Sequence, residues 1–419
     1  MYYIDILLIF GSYLLLLFSI FRIQKLYSVF LLLAFDFLFL YFIFGSQISG
    51  IVTTGPGVLV FTPLLVFNLH IVFLIILGKS KIGAMLSLCP VLLCLIPSQA
   101  FIIPAHPLIL LYGISEISDF LPRFSHPLIN TFLLYFLPVV IVGKYPTLRF
   151  AAMLMLFAIF ITNLYIKEHR NADLKTLRVL IVQVGMYVDK GHNIDNIMND
   201  IDQYSDVDVV VFSESTEFGA KRGARRMQTE ALIRDLQKRS GKTYILSLYG
   251  YSDNGIDYNY RSSLFIEGHH LDYYPKLKLV PGWETRGFLY RDEDFSADYL
   301  ATPSSRIKKV HKLINSADIT TYSCFEAFFY PLTDRKSSLN VIQSRYTDIK
   351  SDSFSDFNRS IIFGNILSYF MLSPDYTPLL SVQDSGGSVY IDRNGTIDHG
   401  FFQRSLESPF VRLDISMSL

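Results

Sequence analysis

Apolar and polar positions alternate on two scales along this 419-residue chain. From Tyr2 to Ile166 long apolar runs are broken only by short polar intervals, whereas from Leu177 onward apolar residues fall into short β-branched runs separated by amphipathic and polar stretches. A helix needs about 20 apolar residues to cross the hydrocarbon of a bilayer. The runs 4–21, 27–44, 57–77, 82–103, 127–143 and 148–166 predict roughly six spans. The stretch 106–121, interrupted by Pro107, Glu116 and Asp119 and followed by Pro122, reads instead as an interfacial or re-entrant segment.

In the second half, Arg178 to Val184, Asp208 to Phe212, Thr243 to Leu248 and Ile319 to Ser323 have the pattern of buried strands. Helical spacing covers Ile194 to Tyr204 and Met227 to Arg239, with Gly241 as a C-terminal stop. Tyr258 to Gly268 and His269 to Lys276 form an antiparallel pair around Gly268. Phe354 to Leu372 reads as a helix, followed by strands at Pro378 to Val382 and Ser388 to Asp392 and a turn at Asp392 to Gly395. Strands alternating with helices predict an α/β layered domain. The organisation expected is a helical membrane domain over 1–166, a linker over 167–176, and an α/β domain over 177–419.

Charge sharpens this division. The chain balances 37 basic against 37 acidic residues, which gives no electrostatic reason to expect nucleic acid. Residues 1–166 hold only eleven of these charges. Basic pairs mark cytoplasmic loops, and Arg22 with Lys25, Lys79 with Lys81, and Lys144 with Arg149 fall in alternate loops. The N-terminus and everything after Ile166 are then expected on the outer side of a bacterial inner membrane, the periplasm of a Gram-negative cell. Asp5 and the lack of a basic n-region make the first apolar run a retained span rather than a signal peptide. Asp36 within the second span is either a functional membrane charge or a snorkelling or helix-paired carboxyl, and His70 and His106 read as structural histidines with no second ligand at metal-binding spacing.

Cys89 and Cys94 lie in an apolar run and read as small hydrophobes. Cys324 has no partner cysteine in its own half, which rules out a disulfide framework there and leaves a free thiol to be explained. A thiolate nucleophile needs a base and a cation. Glu214 at the end of one strand and Lys276 at the end of another supply candidates. Each has a plain alternative: a helix cap for Glu214, a solvated strand-end charge for Lys276, a buried small residue for Cys324. The cluster Lys221, Arg222, Arg225 and Arg226 is either a solvated charge run or a lipid headgroup contact.

Three segments resemble, in order and spacing, the signatures of the carbon–nitrogen hydrolase (nitrilase) superfamily. They are Val211-Phe212-Ser213-Glu214, Tyr274-Pro275-Lys276 running to Leu279-Val280-Pro281-Gly282-Trp283-Glu284, and Tyr322-Ser323-Cys324-Phe325-Glu326. The Lys-x-x-Leu-Val-Pro-x-x-Glu form behind a membrane domain is similar to that of the apolipoprotein N-acyltransferases. The resemblance implies a four-layer αββα sandwich carrying a Glu-Lys-Cys triad. Glu214 would be general base, Lys276 the oxyanion cation, Cys324 the nucleophile, and Glu284 and Glu326 supporting acids. Asp384-Ser385-Gly386-Gly387 would be the closing turn, for which a plain hairpin loop is the alternative. The implied activity is acyl transfer from a phospholipid, through a Cys324 thioester, to the amine of a diacylglyceryl-cysteine lipoprotein, with no metal or organic cofactor. Ser213 stands where the family usually has proline, Phe325 where the acyltransferases usually have tyrosine, and Trp283 is the sole tryptophan. Two alternatives therefore stand beside acyl transfer: a membrane-tethered amidase or nitrilase, and a non-catalytic relative acting as an assembly factor.

Overall fold

The computed structural model describes residues 2–22, 25–44, 57–77, 80–89, 106–124, 126–143, 146–169, 174–215, 218, 224–239, 241–249, 261–277, 312–314, 317–329, 337–345, 354–373 and 376–418. The chain divides into two compact units, one comprising 1–170 with 351–375 and the other 171–350 with 376–419.

The first unit is helical. Its helices Tyr2–Arg22, Lys25–Phe44, Gly57–Leu77, Pro127–Val142 and Pro146–His169 fall on five of the six apolar runs. Of the run 82–103 only its beginning lies among the described residues, in the short helix Lys81–Leu86. Among the described residues one helix, Pro146–Glu168, is both long and apolar enough to cross a membrane unaided, and Ile6–Arg22, Leu64–Leu77, Pro127–Val142 and Ile361–Leu372 are shorter apolar stretches. The interrupted stretch forms a buried 3-10 helix, Pro107–Gly113, and a single turn, Ser115–Ser118.

Several buried polar side chains of this unit make hydrogen bonds, as burial favours. Asn68 Nδ2 donates to Asp36 Oδ2 at 2.8 Å, so the carboxyl is helix-paired. The His70 ring bonds the Ser87 carbonyl at 2.7 Å, and His106 caps the 3-10 helix by accepting from Leu108 N at 3.1 Å. The helix Phe354–Leu372, placed by the sequence pattern in the second half, groups with this unit instead. It is buried or half-buried around its whole circumference from Ile361 to Leu372, and a helix apolar on all sides needs a bundle rather than one sheet face. Phe363 meets Phe39 edge-on at 5.9 Å, and Tyr369 receives a hydrogen bond from Arg123 Nη1 at 3.2 Å.

The second unit is a sandwich of two sheets. Its strands are β1 Leu174–Val182, β2 Val209–Glu214, β3 Thr243–Tyr249, β4 Arg261–Glu267, β5 His270–Pro275, β6 Lys312–Ile314, β7 Ala317–Ser323, β8 Leu339–Ser344, β9 Leu379–Gln383, β10 Val389–Ile391 and β11 Phe410–Ser418. One sheet runs β11-β1-β2-β3-β4-β5 and the other β10-β9-β8-β7-β6. Alternate residues of β1 split between two cores, as a strand of period two demands. Leu177, Val179 and Ile181 face the second sheet with Val209, Val211, Ile319, Val341 and Leu380; Leu180 and Val182 face Ile197, Ile201, Ile233 and Leu236 on the covering helices. Helix, sheet and sheet thus give three of the four expected layers among the described residues. Gly268, at φ +55°, makes the β4–β5 turn, a left-handed conformation natural to glycine.

Candidate active site

Parallel pairing fixes where the candidate residues come together. The strands β1, β2 and β3 run parallel in one sheet and β7, β8 and β9 in the other, while β4 opposes β3 and β5 opposes β4. The C-terminal ends of β2, β3 and β5 and the start of β4 therefore share one edge of the first sheet. The ends of β7, β8 and β9 share one edge of the second. Gln343, buried near the end of β8, ties these edges together: its Nε2 donates to the Phe212 carbonyl at 2.7 Å, and its Oε1 accepts from Ser263 Oγ at 2.6 Å.

Glu214 ends β2 just past a register shift between Val211 and Glu214, a local irregularity of the kind that re-aims a side chain. Its side chain is only 4% exposed and pairs through Oε1 with Nη1 of an equally buried Arg261 at 2.5 Å. Removing ions from water is expensive unless they are paired, and Arg261 meets that need for Glu214. The same arginine receives the Lys276 N–H on its carbonyl at 2.7 Å. One residue therefore touches both the carboxylate and the segment that carries the ammonium.

Lys276, at the end of β5, is buried, unlike the solvated charge that its strand-end position also allowed. Cys324 follows β7 directly and opens a 3-10 turn, Cys324–Phe328. Its φ of +44° is a left-handed conformation that L residues other than glycine rarely adopt, and its side chain is half-exposed. Such outliers concentrate at functional sites. Glu326 holds this turn against the lysine segment. Its carboxylate accepts from Ser323 N at 3.2 Å and from Leu277 N at 3.0 Å, the neighbours of Cys324 and Lys276 respectively. A continuous line of contacts thus runs from Glu214 through Arg261, Lys276 and Glu326 to the cysteine turn. Tyr274, two residues before Lys276, has its phenol pushed up by burial, then by Glu326 and Tyr322.

Behind Glu214 lies a second network. Ser213 Oγ donates to Asp384 Oδ1 at 2.8 Å and accepts from Val184 N at 3.0 Å. Asp384 also accepts from Gly185 N at 2.8 Å, and its Oδ2 lies 4.0 Å from Arg345 Nε. Burial raises the Asp384 carboxyl above its ordinary range, opposed chiefly by the bonds from Ser213 and Gly185. A Cβ on Gly185 would stand 2.6 Å from Asp384 Oδ2, so only glycine permits this approach. The Asp384 turn is thus more than a hairpin loop: it anchors the residue preceding Glu214.

Glu284, Lys221 and Arg222 lie outside the described residues, as do Lys278 and Trp283. Arg225 and Arg226 are described only as backbone in the helix Ala224–Lys238. Arg261 and Gln343 were not singled out by sequence reasoning. A signal for Arg261 was present, because on β4 it alternates with Ser263 and Phe265 on the face turned toward the second sheet, and a buried arginine there requires a carboxylate.

No family profile and no curated protein matches the chain. Among solved structures it aligns with the carbon-nitrogen hydrolase from Helicobacter pylori G27 at 12% identity and a TM-score of 0.41, covering 57% of this chain and 89% of that one. It also aligns with XC1258 from Xanthomonas campestris, a CN-hydrolase superfamily protein, at 14% and 0.36, covering 58% and 91%. A third is Nit3 of Saccharomyces cerevisiae, a member of branch 10 of the nitrilase superfamily, at 13% and 0.33, covering 53% and 84%. These neighbours are members of the carbon-nitrogen hydrolase (nitrilase) superfamily, and at such identities and TM-scores the functional reading rests on the chain's own residues.

Proposed function

We propose that this chain is a membrane-embedded acyltransferase of the carbon–nitrogen hydrolase type, with Glu214, Lys276 and Cys324 as its reacting groups. The observation that carries the reading is the joining of these three positions, far apart in sequence, through Arg261 and Glu326 at one edge of the sandwich. The apolar exterior of the first unit, including Phe150, Met153, Leu154 and Phe157 on one helix, supports a bilayer as its surroundings. In this reading the second unit works on the outer face of a bacterial inner membrane, with a phospholipid as acyl donor and a lipoprotein as acceptor.

The chemistry is two-step covalent catalysis. Glu214 takes the thiol proton as Cys324 Sγ attacks the ester carbonyl, and the Lys276 ammonium stabilises the oxyanion. The C–O bond breaks, Glu214 returns the proton to the leaving lysophospholipid, and an acyl thioester remains. The α-amine of a diacylglyceryl-cysteine then adds to the thioester carbonyl, Glu214 accepts a proton from it, and the C–S bond breaks. An N-acyl lipoprotein leaves, and Glu214 passes that proton to the departing sulfur, which restores the thiol and the carboxylate. Lys221, Arg222, Arg225 and Arg226 are assigned to the donor's phosphate, and Glu284 to support of the lysine segment.

Intact-mass measurement after incubation with phospholipid vesicles tests this directly. The expected result is one acyl adduct on the Cys324 peptide, lost in Cys324→Ala, stable in detergent and cleared by a diacylglyceryl lipopeptide amine. Rapid clearance by water alone would instead identify an amidase, and full rescue of a deletion phenotype by Cys324→Ala would identify a non-catalytic assembly factor. Lys276→Ala is expected to slow adduct formation by about 100-fold or more, the typical effect of removing one oxyanion donor. Lys278→Ala should change it far less, and equal losses would assign the wrong lysine.

A further inference from the structure

We infer that Arg261 is a positioning residue: its guanidinium holds the Glu214 carboxylate ionised and in place to take the proton of Cys324, while its carbonyl holds the Lys276 backbone. The inference rests on the proposed roles of Glu214 and Cys324 and adds a residue that the triad does not contain.

Three features of Arg261 support it. First, the residue lies on the inner face of β4, since Ser263 on the same face bonds Gln343 across the gap between the sheets and Phe265 packs in the core between them. Second, β4 is separated from β2 by β3, so Arg261 reaches across a strand to meet Glu214, and the contact is not one of sequence neighbours. Third, its side chain and main chain serve different partners, Glu214 Oε1 at 2.5 Å and Lys276 N at 2.7 Å. A buried carboxylate without a cation takes up a proton at higher pH, because burial disfavours the charged form. A protonated Glu214 cannot accept the thiol proton. The guanidinium thus keeps the base competent without touching substrate. Among the described residues, the other charged and titratable groups at this edge are Tyr274 on β5 with Lys276 just after it, Tyr322 on β7, Glu326 in the cysteine turn, Arg345 after β8 and Asp384 after β9, and all remain in place in the test.

The test uses the full chain in detergent, with Cys89 and Cys94 replaced by serine, and follows carbamidomethylation of Cys324 by iodoacetamide across pH with intact-mass detection. Alkylation reads the thiolate without any substrate. Arg261→Gln is expected to move the rising limb of the profile upward by about one pH unit, so that the rate at neutral pH falls about tenfold. Arg261→Lys should recover most of that loss. In a Glu214→Gln background Arg261→Gln should have little further effect, since the two residues act as one. An unshifted profile in Arg261→Gln, or an equal shift with and without Glu214, would overturn the inference. Should Arg261→Gln fail to fold, Arg261→Lys is followed with and without Glu214→Gln: a single ammonium does not reproduce the guanidinium fork, so a residual upward shift is expected that disappears in the Glu214→Gln background. No shift in Arg261→Lys, or an equal shift with and without Glu214, overturns the inference. Failure of the acyl-transfer reading would show instead as an absent phospholipid adduct with this profile intact.

Discussion

The two units of the chain treat apolar side chains in opposite ways. Among the described residues, every large apolar side chain that is exposed lies between Ile4 and Tyr165, with Met227 as the one exception. The interior of that same unit holds Ser19, Ser28, His70, Asn130 and Asn163. In the second unit valine, isoleucine and leucine fill both cores, and the buried charges of Glu214, Arg261, Lys276, Glu326 and Asp384 gather at one edge. The comparison teaches that exposure has no fixed meaning until the medium is known. An apolar exterior suits hydrocarbon, and a charged residue inside a sandwich bathed in water must be held there by partners.

The largest effect is expected where the second unit keeps charge inside. Arg261→Ala leaves Glu214 as a buried charge stripped of its guanidinium, a loss worth about 3–5 kcal/mol. Arg412, whose side chain is 40% exposed beside Asp206 and Asp414, should lose about 0–1 kcal/mol on the same truncation. Denaturant midpoints of the two variants measure the difference. Equal losses would mean that the buried pair is solvated after all and that the contrast between interior and surface charge is false.

The exterior of the first unit offers the next test. Phe157, 63% exposed on the helix Pro146–His169, faces hydrocarbon in the membrane reading. A lysine there should lower insertion by about 2.5–3.5 kcal/mol if it sits at the bilayer centre. Met227, 66% exposed in the second unit, should accept lysine within about 0.5 kcal/mol. A glycosylation-tagged insertion assay for the first and a stability measurement for the second separate the two media. A Phe157→Lys variant that inserts as well as the native chain would remove the bilayer from the reading.

Much of this architecture is legible in the sequence because it is written in local periodicity. The ends of β2 and β7 at Glu214 and Ser323, the hairpin at Gly268 and the helix at Phe354–Leu372 follow from runs and turn residues a few positions apart. What escapes is set by register between distant strands. No local pattern brings Arg261 to Glu214, or Leu277 to Glu326, because each contact depends on which strands are neighbours. The grouping of Phe354–Leu372 escapes for a related reason, since the neighbours that bury its circumference, such as Phe39 and Arg123, are distant in sequence. The segment 194–204 departs more modestly: a 3-10 turn, Ile194–Asn196, with Asn193 capping it through Asp195 N at 3.0 Å, precedes the helix Ile197–Asp202.

The smallest effect expected belongs to Asp384, and it concerns the sign of a pH dependence. Burial raises this carboxyl above its ordinary range even though Ser213, Gly185 and Arg345 oppose the rise. The folded chain therefore holds the Asp384 proton to higher pH than the unfolded chain does. Wherever the folded state binds more protons, stability falls with rising pH. The contribution of Asp384 is thus most favourable below the ordinary carboxylate value of about 4, declines through the raised value, and is level above it. Asp384→Asn keeps an oxygen to accept from Ser213 and Gly185 but has no proton to lose. Thermal unfolding of both proteins across the acidic range should show the native chain losing ground to the variant as pH rises. A difference that stays flat, or grows in favour of the native chain, would show that the bonds from Ser213 and Gly185 outweigh burial and that this interior charge is fully compensated.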